Sequence, residues 1–244
     1  MEEGCCQAYT SCFDNDDAMN TRKEISVFDI IGPNMIGPSS SHTAGALRIA
    51  RLAAKMVKNS IVKVDFILYG SFARTYKGHG TDRALLGGIL GFETEDYRIK
   101  DSFLHADKAG LQYTFEFNTK NKAVHPNTVD IVITDSEGTT TSVTGISIGG
   151  GGAVIRKING VTIDLSGEYN TLVIRHKDLP GAVAYVTKIL SDYDINIAFM
   201  KLYREKKGTI AYSVIEADEL ITPNIIQKIE ASSNIISALL VPKE

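Results

Sequence analysis

Two apolar rhythms stand back to back in the first third of the chain, and together they restrict it to folds that stack helices on a sheet. Leu47, Ala50, Ala54 and Val57 recur at intervals of three and four, with Arg48, Arg51, Lys55 and Lys58 largely off that stripe. This is the pattern of an amphipathic helix over Thr43 to about Val57. Just beyond it, Val62, Val64, Phe66 and Leu68 fall at every second position of the β-branched and aromatic run Ile61 to Tyr69, which predicts a strand. A striped helix and an alternating strand each need a second layer to cover the apolar side.

The same reading extends along the chain. Ser26 to Ile31 is a short apolar segment stopped by Gly32-Pro33, and Gly37-Pro38 is a second breaker. Ser71 to Tyr76 predicts a helical turn and Thr81 to Leu90 a helix, which leaves Gly78-His79-Gly80 in the loop between them. A helix near Phe103 to Ala109 precedes a strand over Leu111 to Asn118. Thr128 to Thr134 and Thr139 to Ile148 predict a strand pair turning at Asp135-Ser136-Glu137-Gly138. The run Gly149 to Gly152 is expected either as a loose connection or as a close approach of backbone to something else. It matches neither a dinucleotide fingerprint nor a phosphate-binding loop.

Composition shifts near Asp164 to Tyr169, where a domain boundary is expected, giving a flexible tail over 1–22, a first domain over 23–165 and a second over 169–244. The second reads as a strand at Thr171 to Arg175, a loop Lys177-Asp178-Leu179-Pro180-Gly181, and a helix to about Tyr193. Strands near Ile195 to Arg204 and Thr209 to Glu216, a helix over Pro223 to Glu230 and a last strand at Ile235 to Val241 complete it. The order βαββαβ, with two helices on one face of four strands, is a ferredoxin-like sandwich, and the chain as a whole is α/β in the α+β sense.

A formal net charge of −3 supplies no basic field, so nucleic acid and acidic membrane surfaces are poor partners for this chain. No apolar run reaches the length of a membrane span and no signal pattern opens the sequence, so a cytoplasmic location is the expectation. Cys5, Cys6 and Cys12 all precede the first periodic segment. They are expected in a loose tail, with metal binding by Cys5 and Cys6 as the alternative; no complete metal site is predicted.

Chemistry concentrates in Gly37-Pro38-Ser39-Ser40-Ser41-His42-Thr43-Ala44-Gly45, where hydroxyls and an imidazole lead into the first helix. Unpaired amides at a helix start attract anions, and hydroxyls add donors. The alternative is an N-cap in which Ser40 or Ser41 closes the first turn. A second imidazole in a glycine-bracketed run, Lys77-Gly78-His79-Gly80-Thr81-Asp82, favours a site.

These two runs, with Gly70-Ser71, resemble the β chain or β domain of the bacterial iron–sulfur L-serine dehydratases. The last seventy-odd residues resemble an ACT regulatory domain through Asp178-Leu179-Pro180-Gly181. The first domain is also similar to the allosteric substrate-binding domain of some D-3-phosphoglycerate dehydrogenases. The resemblance implies deamination of L-serine to pyruvate and ammonia with a [4Fe–4S] cluster held by a partner α chain, and a homodimer of this chain. With no Cys after position 12, the sequence agrees that the cluster is held elsewhere.

On this reading the iron supplies a Lewis acid for the leaving hydroxyl and His42 or His79 the base, while Ser39, Ser40, Ser41 and nearby amides hold the carboxylate. Thr43, Lys77 and Asp82 are further site candidates, with capping by Asp82 and simple solvation of Lys77 as their plain alternatives. At Asp178, Leu179, Pro180 and Gly181 an amino-acid effector is expected, its carboxylate on helix amides and its ammonium on Asp178; dimerisation alone is the alternative there. The competing view of the whole chain is a non-catalytic module that senses serine or another small anion and controls a partner.

Overall fold

The alternation over Ile61–Tyr69 becomes strand β1, with Val64, Phe66 and Leu68 fully buried and their neighbours partly exposed. The structure is a computed structural model that describes residues 34–120, 125–166 and 169–241. The tail with its three cysteines, the segment Ser26 to Ile31, the breaker Gly32-Pro33, and Gly167 and Glu168 of the boundary lie outside the described residues.

β1 is joined by β2 (Gln112–Asn118), β3 (Thr128–Asp135), β4 (Thr140–Gly149), β5 (Gly152–Ile158) and β6 (Val161–Leu165) in the order β2-β1-β3-β4-β5-β6. Only β1 and β2 run parallel; the other neighbours are antiparallel. The expected turn between β3 and β4 is held by Asp135, whose carboxylate accepts from the amides of Glu137 (3.0 Å) and Thr139 (2.8 Å).

β5 and β6 were not foreseen. Three successive residues of β5, Ala153, Val154 and Ile155, are buried, which hides the two-residue period. The turn that joins them, Asn159-Gly160, has φ of 48° and 80°, the left-handed pair that a tight hairpin demands. Gly149 to Gly151, with φ of 95°, 58° and 83°, make the turn between β4 and β5 and are not a loose linker.

Helix α1 (Gly45–Ala54) continues from one wide turn over Ser40–Ala44. α2 (Gly70–His79) and α3 (Thr81–Ile89) follow β1, and α4 (Ser102–Lys108) precedes β2. The expectation that His79 sits in a loop is corrected: α2 runs through it, and only Gly80, at φ 64°, ends one helix and opens the next. Gly78 costs little that close to the last turn, and Gly80 takes the left-handed position that terminates helices. Leu47, Ile49 and Leu52 of α1 and Leu85 and Leu86 of α3 bury themselves with Phe66, Ile131 and Ile133 of the sheet.

The second sheet contains β7 (Asn170–Lys177), β8 (Ile197–Arg204), β9 (Ile210–Ala217) and β10 (Ile235–Val241), antiparallel in the order β10-β7-β9-β8. α5 (Ala182–Asp192) and α6 (Pro223–Glu230) cover one face, where Leu172 and Ile174 meet Val186, Leu190, Ile225 and Ile229. This is the expected ferredoxin-like βαββαβ unit. Val173, Tyr212 and Val241 join the core of the first sheet, so the second sheet contributes buried apolar side chains from both faces. Lys58 and Glu230 form an ion pair across the junction.

Candidate active site

Ser39 has extended backbone, and its hydroxyl accepts from the amide of His42 at 3.1 Å, so the cap is made by Ser39 and not by Ser40 or Ser41 as expected. That bond turns the chain and directs the His42 ring toward α2. Nδ1 of His42 lies 3.0 Å from Ser41 Oγ and Nε2 lies 2.9 Å from Ser71 Oγ, at the start of α2. A neutral imidazole has one donor and one acceptor nitrogen, so one serine donates to the ring and the other accepts from it.

The His42 ring meets the edge of Phe72 at 5.3 Å and the ring of His79 at 4.8 Å between centroids. Burial, and then the charge of His79, lower the pKa of His42 below its ordinary value of 6.5. The imidazole is therefore neutral at physiological pH and able to take a proton. The hydroxyl of Thr43 donates to the carbonyl of His79 at 2.8 Å, tying the wide turn before α1 to the last turn of α2. Gly45 allows that turn to lie against β4, since a Cβ there would stand 2.2 Å from Ser147 Oγ.

The structure brings Ser39, Ser41, His42, Thr43 and His79 together, with the Ser40 backbone in the same turn. Lys77 is exposed, its ammonium 5.8 Å from the Tyr76 ring centroid, and Asp82 accepts from the amide of Arg83; neither bonds an imidazole. Burial raises the pKa of Asp82. Ser71 was missed as a partner of His42, although Gly70-Ser71 directly after a strand marked the place. Nδ1 of His79, Oγ1 of Thr81 and Oγ of Ser147 are buried without a hydrogen-bond partner among the described residues. Such atoms call for a partner that side chains do not supply.

At the second predicted site, Gly181 opens α5 at φ 89°, and Asp178 accepts from the Gly208 amide at 2.8 Å and from Arg204 Nε at 3.1 Å. The Gly208 amide first, and Arg204 after it, hold the Asp178 carboxyl below its usual range. The carboxylate expected to take an ammonium is thus already engaged.

Residues 26–158 match the family model described as serine dehydratase beta chain. This chain belongs to that family. It is 45% identical to the L-serine dehydratase beta chain of Peptoniphilus asaccharolyticus over 83% of its own length and 91% of that protein. It is 44% identical to the probable L-serine dehydratase beta chain of Bacillus subtilis over 86% and 95% of the two chains. Residues 170–234 match the ACT domain model. The chain is also 26% identical to the D-3-phosphoglycerate dehydrogenase of Bacillus subtilis, over 80% of its length and 37% of that protein.

No described residue is a cysteine, and no three described His, Asp or Glu side chains stand close enough to hold a metal ion. The donor set of the described residues therefore does not fit an iron–sulfur cluster. Among the described residues no helix is long and apolar enough to cross a membrane.

Proposed function

We propose that this chain is the β subunit of an L-serine dehydratase and that His42 is its base. The observation that carries the reading is an imidazole kept neutral by burial and gripped on both ring nitrogens by serines from different elements. Serine's carboxylate sits among the hydroxyls of Ser39, Ser40 and Ser41, and its Cα–H replaces one of the hydroxyls on His42. His42 takes the α-proton, the electron pair left behind forms the Cα–Cβ double bond, and the Cβ–O bond breaks as the hydroxyl leaves as water with the proton that His42 hands on to it. The aminoacrylate tautomerises to an imine, whose hydrolysis gives pyruvate and ammonia. His79 disfavours the imidazolium before substrate binds and is the second candidate base.

The cluster that the family resemblance implies is assigned to an α-chain partner. Support comes from an L-serine dehydratase of Streptomyces coelicolor, of which this chain covers only 16%. The ferredoxin-like unit is assigned amino-acid regulation through Asp178 to Gly181, and pairing of two copies. The proposed division at 165–169 rests on the two separate sheets.

The test is L-serine-dependent pyruvate formation, assayed anaerobically with this chain alone, with the α chain alone, and with both after cluster reconstitution. The reading requires activity only in the mixture, lost with His42→Ala. The likeness to a D-3-phosphoglycerate dehydrogenase favours a second reading, a sensor without catalytic groups. Full activity of the α chain alone would establish that reading instead.

A further inference from the structure

Between the two sheets lies a cavity of about 380 Å³, bounded by the segment that follows α1, the β3–β4 turn and the inner face of the second sheet. On that inner face Arg175 stands opposite Tyr212 on one neighbouring strand and Ser237 on the other. Val173 and Tyr212 on the same face are buried in the first core, so the Arg175 side chain starts out among apolar neighbours. Its Nε is buried with no hydrogen-bond partner, and its guanidinium makes no ion pair among the described residues.

The other charged groups of the lining differ in how fully they are used. Lys58 is paired with Glu230, and Asp135 accepts from Asn59 and from two amides of its own turn. Glu137 is exposed at the rim, and its carboxylate has no partner among the described residues. What remains unsatisfied is one buried-stemmed cation and one anion on the same cavity. A guanidinium fork matches a carboxylate in two parallel hydrogen bonds, and a buried donor left unmade is costly.

We infer that this cavity is a binding site for a small zwitterionic amino acid, its carboxylate on Arg175 and its ammonium toward Glu137. The site is separate from the Asp178 turn, whose own cavity of about 430 Å³ shares no lining residue with it. It does not depend on the catalytic assignment. A ligand there touches Asn59 and Thr141 of the first sheet's unit and Arg175 and Ser237 of the second, so it favours one setting of the two. Asn59 lies five residues beyond the end of α1, the helix whose leading turn carries His42.

The test is calorimetric titration of the full chain with L-serine as probe, and with pyruvate as a carboxylate lacking the ammonium. Serine is expected to bind, and the binding that persists in a His42→Ala, Asp178→Asn double variant is expected to weaken about tenfold or more when Arg175→Met is added to it. Glu137→Gln, on the exposed rim, is expected to weaken serine and leave pyruvate unchanged. Arg175→Met melts no lower than the parent chain without ligand, since it removes a donor that had no partner. Absence of heat with serine, an unchanged serine affinity in either cavity variant, or binding of pyruvate in preference to serine overturns the inference.

Discussion

His42 Nε2 lies 2.9 Å from the hydroxyl oxygen of Ser71, a residue twenty-nine positions along the chain. The bond joins the turn before α1 to the start of α2 and fixes the ring plane that the proposed proton transfer needs. Ser71→Ala is expected to lower kcat/KM of the reconstituted two-chain enzyme about two- to tenfold, the worth of one such hydrogen bond. His42→Ala is expected to cost about 10²- to 10⁴-fold, the usual contribution of a general base. Equal losses from both would mean that Ser71 does more than orient the ring, and no loss from Ser71→Ala would mean that the bond is absent during turnover.

Because burial and His79 lower the pKa of His42 below 6.5, the unfolded chain takes up that proton at a higher pH than the folded one. Above pH 6.5 neither state is protonated there and the group costs nothing. As pH falls from 6.5 through the folded value, protonation of the unfolded state wins and stability drops, reaching its full loss below that value. Melting temperature is therefore expected to decline on acidification below about pH 6.5, less so in His42→Gln, with the acid limb of kcat/KM also below 6.5. Titration of the His42 ring proton by NMR checks the same quantity directly; a value above 6.5 would contradict both profiles.

Gly45→Ala would set a methyl group 2.2 Å from Ser147 Oγ and 2.9 Å from its Cβ. Neither the buried turn nor the buried strand has room to give, so the cost is expected to be about 1–3 kcal/mol, read from chemical denaturation. Adding Ser147→Gly removes the clashing side chain. Recovery of most of the loss in the double variant identifies the contact as the cause, and additive losses would point to another.

Much of this architecture was legible because local rules and burial agree. Val64, Phe66 and Leu68 alternate in sequence and are buried in β1, and the four strands and two helices of the second sheet fall within a few residues of expectation. The failures occur where tertiary contacts outweigh local signals. β5 is buried on both sides along part of its length, which erased its alternation, although Asn159-Gly160 advertised the hairpin. Gly78 and Gly80 read as a loop, yet only Gly80 takes a left-handed conformation. The two histidines were marked by their neighbours and by family resemblance; that their rings stand 4.8 Å apart, with Ser71 bonded to one of them, is a product of α2 folding back on the turn before α1.

The hydroxyl of Thr43 was a substrate-binding candidate, but it is buried and donates to the carbonyl of His79 at 2.8 Å. That carbonyl belongs to the last turn of α2, where no later amide of the helix can reach it, so Thr43 supplies its missing donor. Thr43→Val keeps the shape and removes the donor, and is expected to cost about 1 kcal/mol of stability. It also frees the backbone that sets the distance between the two imidazoles, while the serines assigned to the carboxylate stay in place. The expected signature is a fall in kcat with KM little changed, and rescue by Thr43→Ser, which restores the hydroxyl. A rise in KM with kcat intact would return Thr43 to the substrate, because uniform binding is lost in that way only when a contact to the ground state is removed.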